Sequence, residues 1–463
     1  MTTVPNVVVQ NSDIEDSTFF NALRQQEYPQ LDANHQVYLD YTGGNQYSST
    51  QIKTHFARLQ GAVFGNPHSL NPASAVSTKM VEDARKKILE FFNADNYYCI
   101  FTSNATGALK IVGECYPFEE NGRFVLLADN HNSVNGIREY CHSKGGSFAY
   151  SPIHFEDLEL DAGVLQKLLE DDTPYRHKLF AFPAQSNVSG VRHHLKWIQT
   201  AQALGWDVLL DAAAFVPTTQ LNLQEVTPDF VSVSFYKIFG YPTGIGCLLV
   251  RKDKFHLLHK RWFAGGTVTA VSIFSPHHFL AGNHERFEDG TVNYLDIPAV
   301  TTGLEFIEGI GMDRIHLRME NLMHYLIPRL TALQHSNGRE LLHIFGPRNR
   351  AACGGTIVLN IFDIHGNQYP FEHIEQDASK MGISIRSGCF CNPGIDETNN
   401  CLTAEELSRY YSSRDNGDFR DMMQYLGKMR GAIRISVGIP TTQSDLDTCI
   451  RFISNYIDKE VMA

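Results

Sequence analysis

Several things are missing from this chain, and each absence narrows what it can be. No apolar stretch approaches the length of a membrane span. The opening MTTVPNVVVQ lacks the basic lead and apolar block of a secretory signal. No cluster of Lys and Arg stands out, and 39 basic against 51 acidic residues give a formal net charge of -12. A concentrated basic face for nucleic acid is therefore not expected. The nine cysteines, an odd number in a long chain, are scattered, so a disulfide framework is not expected either. There is no internal repeat and no low-complexity tract. The expectation is a cytoplasmic globular protein with neither nucleic acid nor membrane as partner.

What is present is ordinary soluble-enzyme composition, 43% hydrophobic and 19% charged over 463 residues, enough for two domains sharing an interface. After "VYLDYTGGNQY", a short strand into a glycine turn, residues 74–92 put Val76, Met80, Ala84, Ile88 and Phe91 on one helical face. Apolar strand-like runs then alternate with helices: "YYCIFT", "FVLLAD", "HKLFAFPA", "DVLLDAAAF", "FVSVSF" and "GIGCLLV". That alternation predicts an α/β protein with a mainly parallel sheet covered by helices on both faces. Beyond about residue 310 the pattern changes to a long amphipathic helix followed by "GGTIVLNIF", "ISIRSG" and "AIRISVGI", which reads as a smaller α+β domain. The expected division is an N-terminal segment 1–35 joining the small domain, a large domain 36–310 and a small domain 311–463.

In an open α/β sheet, ligands bind beyond the carboxyl ends of the strands. "SNATGAL" after the first strand opens a helix with small and hydroxyl residues, a potential phosphate cradle and otherwise a plain N-cap. His131, Asn187, Asp211 and Lys237 follow or end the later strands. A carboxylate finishing an apolar strand needs a cationic partner. A lysine bracketed by Val231, Val233, Phe235, Ile238 and Phe239 needs a reason to be there, because burying an unpaired ammonium is costly. Phosphate cradle, imidazole, amide, carboxylate and amine form the set that a phosphorylated pyridine aldehyde, pyridoxal 5'-phosphate, requires. Lys237 is then the covalent attachment point, and its apolar flanks would lower its pKa.

Five motifs, in order, make the resemblance specific: "GNPHS" at 65–69, "DNHNSVNGIRE" at 129–139, "SFYKIFGYPTGIG" at 234–246, "RFEDGT" at 286–291 and "RSGCFCNPG" at 386–394. From about residue 37 onward the chain resembles class V aminotransferase-type enzymes of pyridoxal phosphate fold type I. Within them it resembles the cysteine desulfurase branch, and there most of all the N-terminal domain of molybdenum cofactor sulfurases. The resemblance implies a large domain with a mainly parallel sheet of the seven-stranded type. It also implies roles. Ala105 and Thr106 would lie at the phosphate with Ser234, beside Tyr236 and Lys237. His131 would stack on the ring and relay protons, Asn187 would touch the ring hydroxyl and Asp211 would pair with the pyridinium. Thr291 would reach the phosphate of a neighbouring subunit, making a homodimer with shared active sites. Arg434 would grip the substrate carboxylate, with Arg386 and Asn187 also on the substrate side. Arg386 would also help activate the cysteine five residues on, Cys391. L-cysteine would lose its α-proton to Lys237. Cys391, as thiolate, would then take its sulfur, leaving an enzyme persulfide and L-alanine.

The chain departs from the family's pattern in places. Tyr236 stands where many desulfurases have histidine, Ala214 where many have a glutamine three residues after the aspartate, and Asp396 where many sulfurases have cysteine. "DYTGGN" replaces the commoner "DHAGAT". The sequence stops at 463, before the cofactor-binding C-terminal domain of full-length sulfurases, which leaves the sulfur acceptor unidentified. The alternative is another class V enzyme, a lyase, epimerase or transaminase acting on a different amino acid. A thiolate at 391 would be of no use to it. A non-enzymatic scaffold is disfavoured by Lys237, Asp211 and His131 together. Cys389, Cys391 and Cys401 match no zinc spacing, so no metal is expected. Cys389 reads as a bystander or resolving thiol. His193-His194 and His277-His278 read as solvated loop residues. If the 389–391 stretch stays extended, its two thiols point to opposite sides.

Overall fold

The computed structural model describes residues 11–347, 349 and 352–461. The opening ten residues, read above as lacking a signal, lie outside them.

Seven strands form the central sheet, in the spatial order Tyr97–Thr102, Gly246–Arg251, Phe230–Ser234, Asp207–Asp211, His177–Pro183, Gly122–Leu127, Ser147–Ser151. Only Gly246–Arg251 runs against its neighbours, and the other pairings are parallel. Side-chain alternation decides the two faces. Val125, Leu127, Phe180, Phe182, Val208, Leu210, Val231 and Val233 enter one core. Their alternates Phe124, Leu126, Leu179, Ala181, Leu209 and Phe230 enter another on the opposite face. A sheet covered on both sides explains strands that read as unbroken apolar runs. Each such aliphatic or aromatic side chain contributes about 1.5–3 kcal/mol when fully buried. The expected helix over 74–92 is Pro72–Phe91, capped by the Asn71 side chain.

A second sheet, all antiparallel, takes the order Leu342–Phe345, Thr356–Ile361, Ala432–Ser436, Arg386–Gly388. It packs with the helix Met312–Thr331 around a core of its own. The N-terminal stretch touches both bodies. Phe20, Tyr28 and Leu31 join the larger core, while Arg24 pairs with Asp445 at 2.6 Å and Val37–Tyr38 pairs with Ile383–Ser384. Among the described residues no helix is long and apolar enough to cross a membrane.

Candidate active site

The strand ends converge as sequence reasoning expects. Ala105, Thr106, His131, Asn187, Asp211, Ser234, Tyr236 and Lys237 line one cleft of about 130 Å³. At one corner Asn104 caps the helix Ala105–Cys115, its side chain accepting from Gly107 N at 3.0 Å. The Ala105 N–H donates to Ser234 Oγ at 2.8 Å, and the Thr106 and Ser133 hydroxyls meet at 2.8 Å. This turn sits so low over the sheet that a Cβ on Gly246 would lie 2.6 Å from Asn104 Cα and 2.6 Å from the Val233 carbonyl oxygen. The glycine is required by that backbone approach.

Lys237 follows the strand Phe230–Ser234 in the short helix Phe235–Phe239, whose Phe235, Ile238 and Phe239 are buried. Its ammonium has no hydrogen bond or ion pair among the described residues. Burial lowers its pKa below the usual lysine value. Asp211 and Cys391 oppose that shift, while Arg434 and Arg386 add to it. Asp211, also buried, accepts from Ser232 Oγ at 2.9 Å and from Ala213 N at 3.1 Å, both on Oδ1. His131 accepts from Ser133 N on Nδ1 at 3.1 Å, so the neutral ring carries its proton on Nε2. Burial holds His131 below the ordinary histidine pKa, Asp211 opposing and Lys237 reinforcing.

Other expected residues are engaged differently. The Asn187 amide donates to the Phe390 carbonyl at 2.9 Å, on the loop of Cys391. Arg386 and Arg434 both grip Asp40. Arg386 does so through Nε at 2.9 Å and Nη2 at 2.7 Å, and Arg434 through Nη2 at 2.7 Å. Arg386 thus pairs with a carboxylate through Nε and Nη2. Arg434 also donates to the Asn187 carbonyl at 2.8 Å, and its buried Nε has no partner among the described residues. Burial lowers Arg434, with Asp40 opposing. Thr291 lies outside the cleft, in a separate one beside Asn66, Gly265 and Gly266.

Cys391 is exposed and Cys389 half-buried. The loop is not extended, since Phe390 and Cys391 both take left-handed backbone at φ 56 and 55. Cys391 is within electrostatic reach of Lys237, whereas Cys389 lines a cleft of about 450 Å³ with Tyr410, Arg414 and Phe419. Burial raises the Cys389 pKa. Among the described residues no group of His, Cys, Asp and Glu is set to hold a metal.

Sequence reasoning missed four residues here. Gln185 lines the cleft, donates to the Ala214 carbonyl at 2.9 Å and keeps a buried Oε1 without a partner. It fills the space that Ala214 leaves, and its position at a strand end was the available signal. Asp40 sat in the departing "DYTGGN" motif. Asp129 and His193 form a buried pair, Nε2 to Oδ2 at 3.0 Å, so His193 is a core residue and not a solvated one. A histidine between polar neighbours gives no sequence sign that a carboxylate 64 positions away will cover it.

The model of the aminotransferase class-V family matches residues 37–449. A molybdenum cofactor sulfurase of Solanum lycopersicum is 35% identical across 94% of this chain and 57% of its own length. The Homo sapiens molybdenum cofactor sulfurase is 34% identical across 93% of this chain and 50% of its own. The chain thus spans little more than half the length of these relatives. Among solved structures, an apo cysteine desulfurase from Thermococcus onnurineus has the same fold. Its TM-score is 0.78 at 22% identity, over 94% of this chain and 97% of that one.

Proposed function

The chain belongs to the aminotransferase class-V family, and on that footing we propose that it is a pyridoxal 5'-phosphate-dependent sulfurtransferase of the cysteine desulfurase and molybdenum cofactor sulfurase type. It converts L-cysteine to L-alanine and carries the sulfur as a persulfide on Cys391. The observation that carries the reading is an exposed Cys391 on a loop that the cleft residue Asn187 holds at the Phe390 carbonyl, with a lysine amine in that cleft that has no partner among the described residues.

The residues present fit the cofactor. An amine kept without a partner at the end of a buried strand suits covalent attachment. Asp211, bound by neighbours on Oδ1, has its other oxygen for a pyridine nitrogen. The helix N-terminus at Ala105 and Thr106 with Ser234 suits a phosphate, where the hydroxyls of Thr106 and Ser234 and the helix dipole favour an anion. His131 would face the ring, and Asn187 or Gln185 its hydroxyl. When bound, the group supplies a covalent handle for an amino acid and a sink for the electrons left by proton loss.

This chain's own residues do the rest. Lys237, whose pKa burial lowers, is the group that takes the α-proton of L-cysteine. Arg434 offers its unpartnered Nε edge to the substrate carboxylate. The Cys391 thiolate attacks the substrate sulfur: the new bond is sulfur–sulfur, the bond broken is carbon–sulfur, and the three-carbon product leaves as alanine. The persulfide sulfur then passes from Cys391 to an acceptor.

We read the enzyme as a homodimer. The hairpin of strands Val268–Val271 and His278–Leu280 exposes Ile273 at 90% and Phe274 at 96%, a patch fit for a second copy. Thr291 lines a cleft with Gly265 and Gly266, which precede this hairpin, as a residue serving a neighbour's site would. The free thiols suit a reducing, cytoplasmic compartment. The test is mass spectrometry after incubation with L-cysteine. A persulfide on the Cys391 peptide with stoichiometric alanine is expected. Turnover of an amino acid without any persulfide would overturn the reading in favour of a class V lyase, epimerase or transaminase.

A further inference from the structure

Phe390 and Cys391 are consecutive non-glycine residues in the left-handed region. Each such residue costs of order 1–3 kcal/mol, and the arrangement persists only where its surroundings over-determine it. Here they do. The Phe390 carbonyl accepts from Asn187 Nδ2, and the Cys391 carbonyl accepts from Asn132 N at 2.7 Å. The Asn392 N–H returns to the Cys389 carbonyl at 3.0 Å. The Asn392 side chain then does two things. Its Oδ1 caps the helix Pro393–Asn399. Its Nδ2 donates to Asp129 Oδ1 at 2.7 Å and to Asn187 Oδ1 at 3.1 Å. Gly394 is seated so closely that a Cβ there would lie 2.0 Å from the Ala128 carbonyl oxygen.

All of this converges on one carboxylate. Asp129 is 0% exposed and sits just past the strand Gly122–Leu127, two residues before His131. It accepts from Asn392 and from Ser186 Oγ at 2.9 Å on Oδ1, and from His193 Nε2 at 3.0 Å on Oδ2. A buried carboxylate with three donors is fully satisfied, and such networks rigidify what they hold. Asp129 does not line the Lys237 cleft.

We propose that Asp129, acting through Asn392, is the positioning residue for Cys391. It clamps the 389–394 turn and so fixes where the Cys391 thiol stands before substrate arrives. This rests on the reading that Cys391 accepts the sulfur, and the experiment separates the two.

The variant of choice is Asn392→Ser in the full-length, cofactor-loaded protein. Serine can still cap the helix but is too short to reach Asp129. Asp129→Asn is the conservative control, because an amide keeps an oxygen for Asn392 and Ser186 while neutral His193 can switch tautomer to accept. The primary readout is amide hydrogen–deuterium exchange of a peptide spanning 387–394. Asn392→Ser should exchange there faster by about tenfold or more, with the cofactor absorbance band unchanged, and Asp129→Asn should stay close to the parent. Alanine formation by Asn392→Ser should fall in kcat by about ten- to a hundredfold with KM nearly unchanged, since a misplacement of about 1 Å costs on the order of a hundredfold. Parental exchange in Asn392→Ser overturns the clamp, and so does faster exchange with undiminished kcat. Cys391→Ser is run alongside. If it still releases alanine, the sulfur role of Cys391 fails, and the exchange result alone decides the clamp.

Discussion

Replacing Gly246 by alanine should unseat the phosphate end of the cofactor without altering any side chain that faces it. The three atoms nearest the new methyl group are all backbone: Asn104 Cα at 2.6 Å, the Val233 carbonyl oxygen at 2.6 Å and Asn104 C at 2.7 Å. An ordinary carbon contact is about 3.5 Å, so the methyl is short by roughly 0.9 Å and no flexible side chain can yield. Either the turn carrying Asn104 lifts or the strand Phe230–Ser234 moves, and each bears one partner of the Ala105–Ser234 hydrogen bond. Overpacking of this kind costs about 1–3 kcal/mol, which a protein of this size survives folded. The binding cost is separate. Losing one charge-assisted hydrogen bond to a phosphate forfeits about 1.5–3 kcal/mol, or roughly ten- to 150-fold in Kd. Apoprotein is titrated with pyridoxal phosphate and, in parallel, with pyridoxal lacking the phosphate, both followed by absorbance. The phosphate ester should lose that factor, while pyridoxal stays within about twofold of the parent. Gly309→Ala, on the helix Ile297–Ile310 with open space around its Cβ, serves as the neutral control. Equal weakening of both ligands would refute a phosphate cradle at Ala105 and point to general collapse, and no weakening of either would refute the reasoning from backbone contact.

Lys237→Ala should bind pyridoxal phosphate without the borohydride-bleached covalent band, and a bleachable band in the variant would unseat Lys237. Because burial lowers the Lys237 pKa, the unfolded apoprotein binds a proton that the folded one releases. Its stability should therefore rise with pH up to the ordinary lysine value of about 10.4. Lys237→Met should gain stability over the parent at neutral pH, with the gap closing as that value is approached, and a gap constant in pH would contradict the burial argument. Asp211→Asn should fold and bind cofactor yet form alanine much more slowly, since an amide cannot hold a pyridine nitrogen charged; near-parental turnover would remove that role. Under a reductant, Cys391→Ser should release almost no alanine while Cys389→Ser keeps most of its activity, and the reverse order would exchange their assignments.

The strand-end residues were legible because each is local. An apolar strand delivers its last side chain to the sheet edge whatever happens elsewhere, so Asp211 and Lys237 declare themselves by being charged at the end of a run that excludes charge. The cap at Asn104 is likewise written in adjacent residues. What escaped the sequence depends on distant partners. Arg434 and Asp40 lie 394 positions apart, and Asp129 and Asn392 are separated by 263. An extended 389–391 was a fair reading of a strand's continuation. It failed because Asn187, Asn132 and Asp129 hold the loop in a conformation that its own residues do not favour. Gln185 was hidden for a related reason: an amide is unremarkable in sequence even at a strand end, and its place in the cleft beside Ala214 emerges only in the fold.

The departing motif "DYTGGN" and the two arginines are one feature. Asp40 bridges in parallel to Ser436, at the end of the strand that carries Arg434, and Gly43 must lack a side chain because a Cβ there would lie 2.5 Å from Asp40 Oδ2. The two ion pairs on Asp40 are unequal. Arg386, with half its side chain exposed, contributes at most about 1 kcal/mol through its pair. Arg434, 3% exposed, would be left as an uncompensated buried charge without Asp40, a cost of about 3–5 kcal/mol. Asp40 is thus the counter-ion of Arg434 first and a surface contact for Arg386 second. It takes Nη2 of Arg434 and the Asn187 carbonyl takes Nη1, while the buried Nε has no partner among the described residues. In the role proposed for Arg434, an arginine so fixed would lose little freedom when a substrate carboxylate binds. The cleft over the seven-stranded sheet supplies the groups that fit a cofactor. The four-stranded sheet supplies the arginines and the cysteine, and the chain around residue 40, lying between the two, holds them in register.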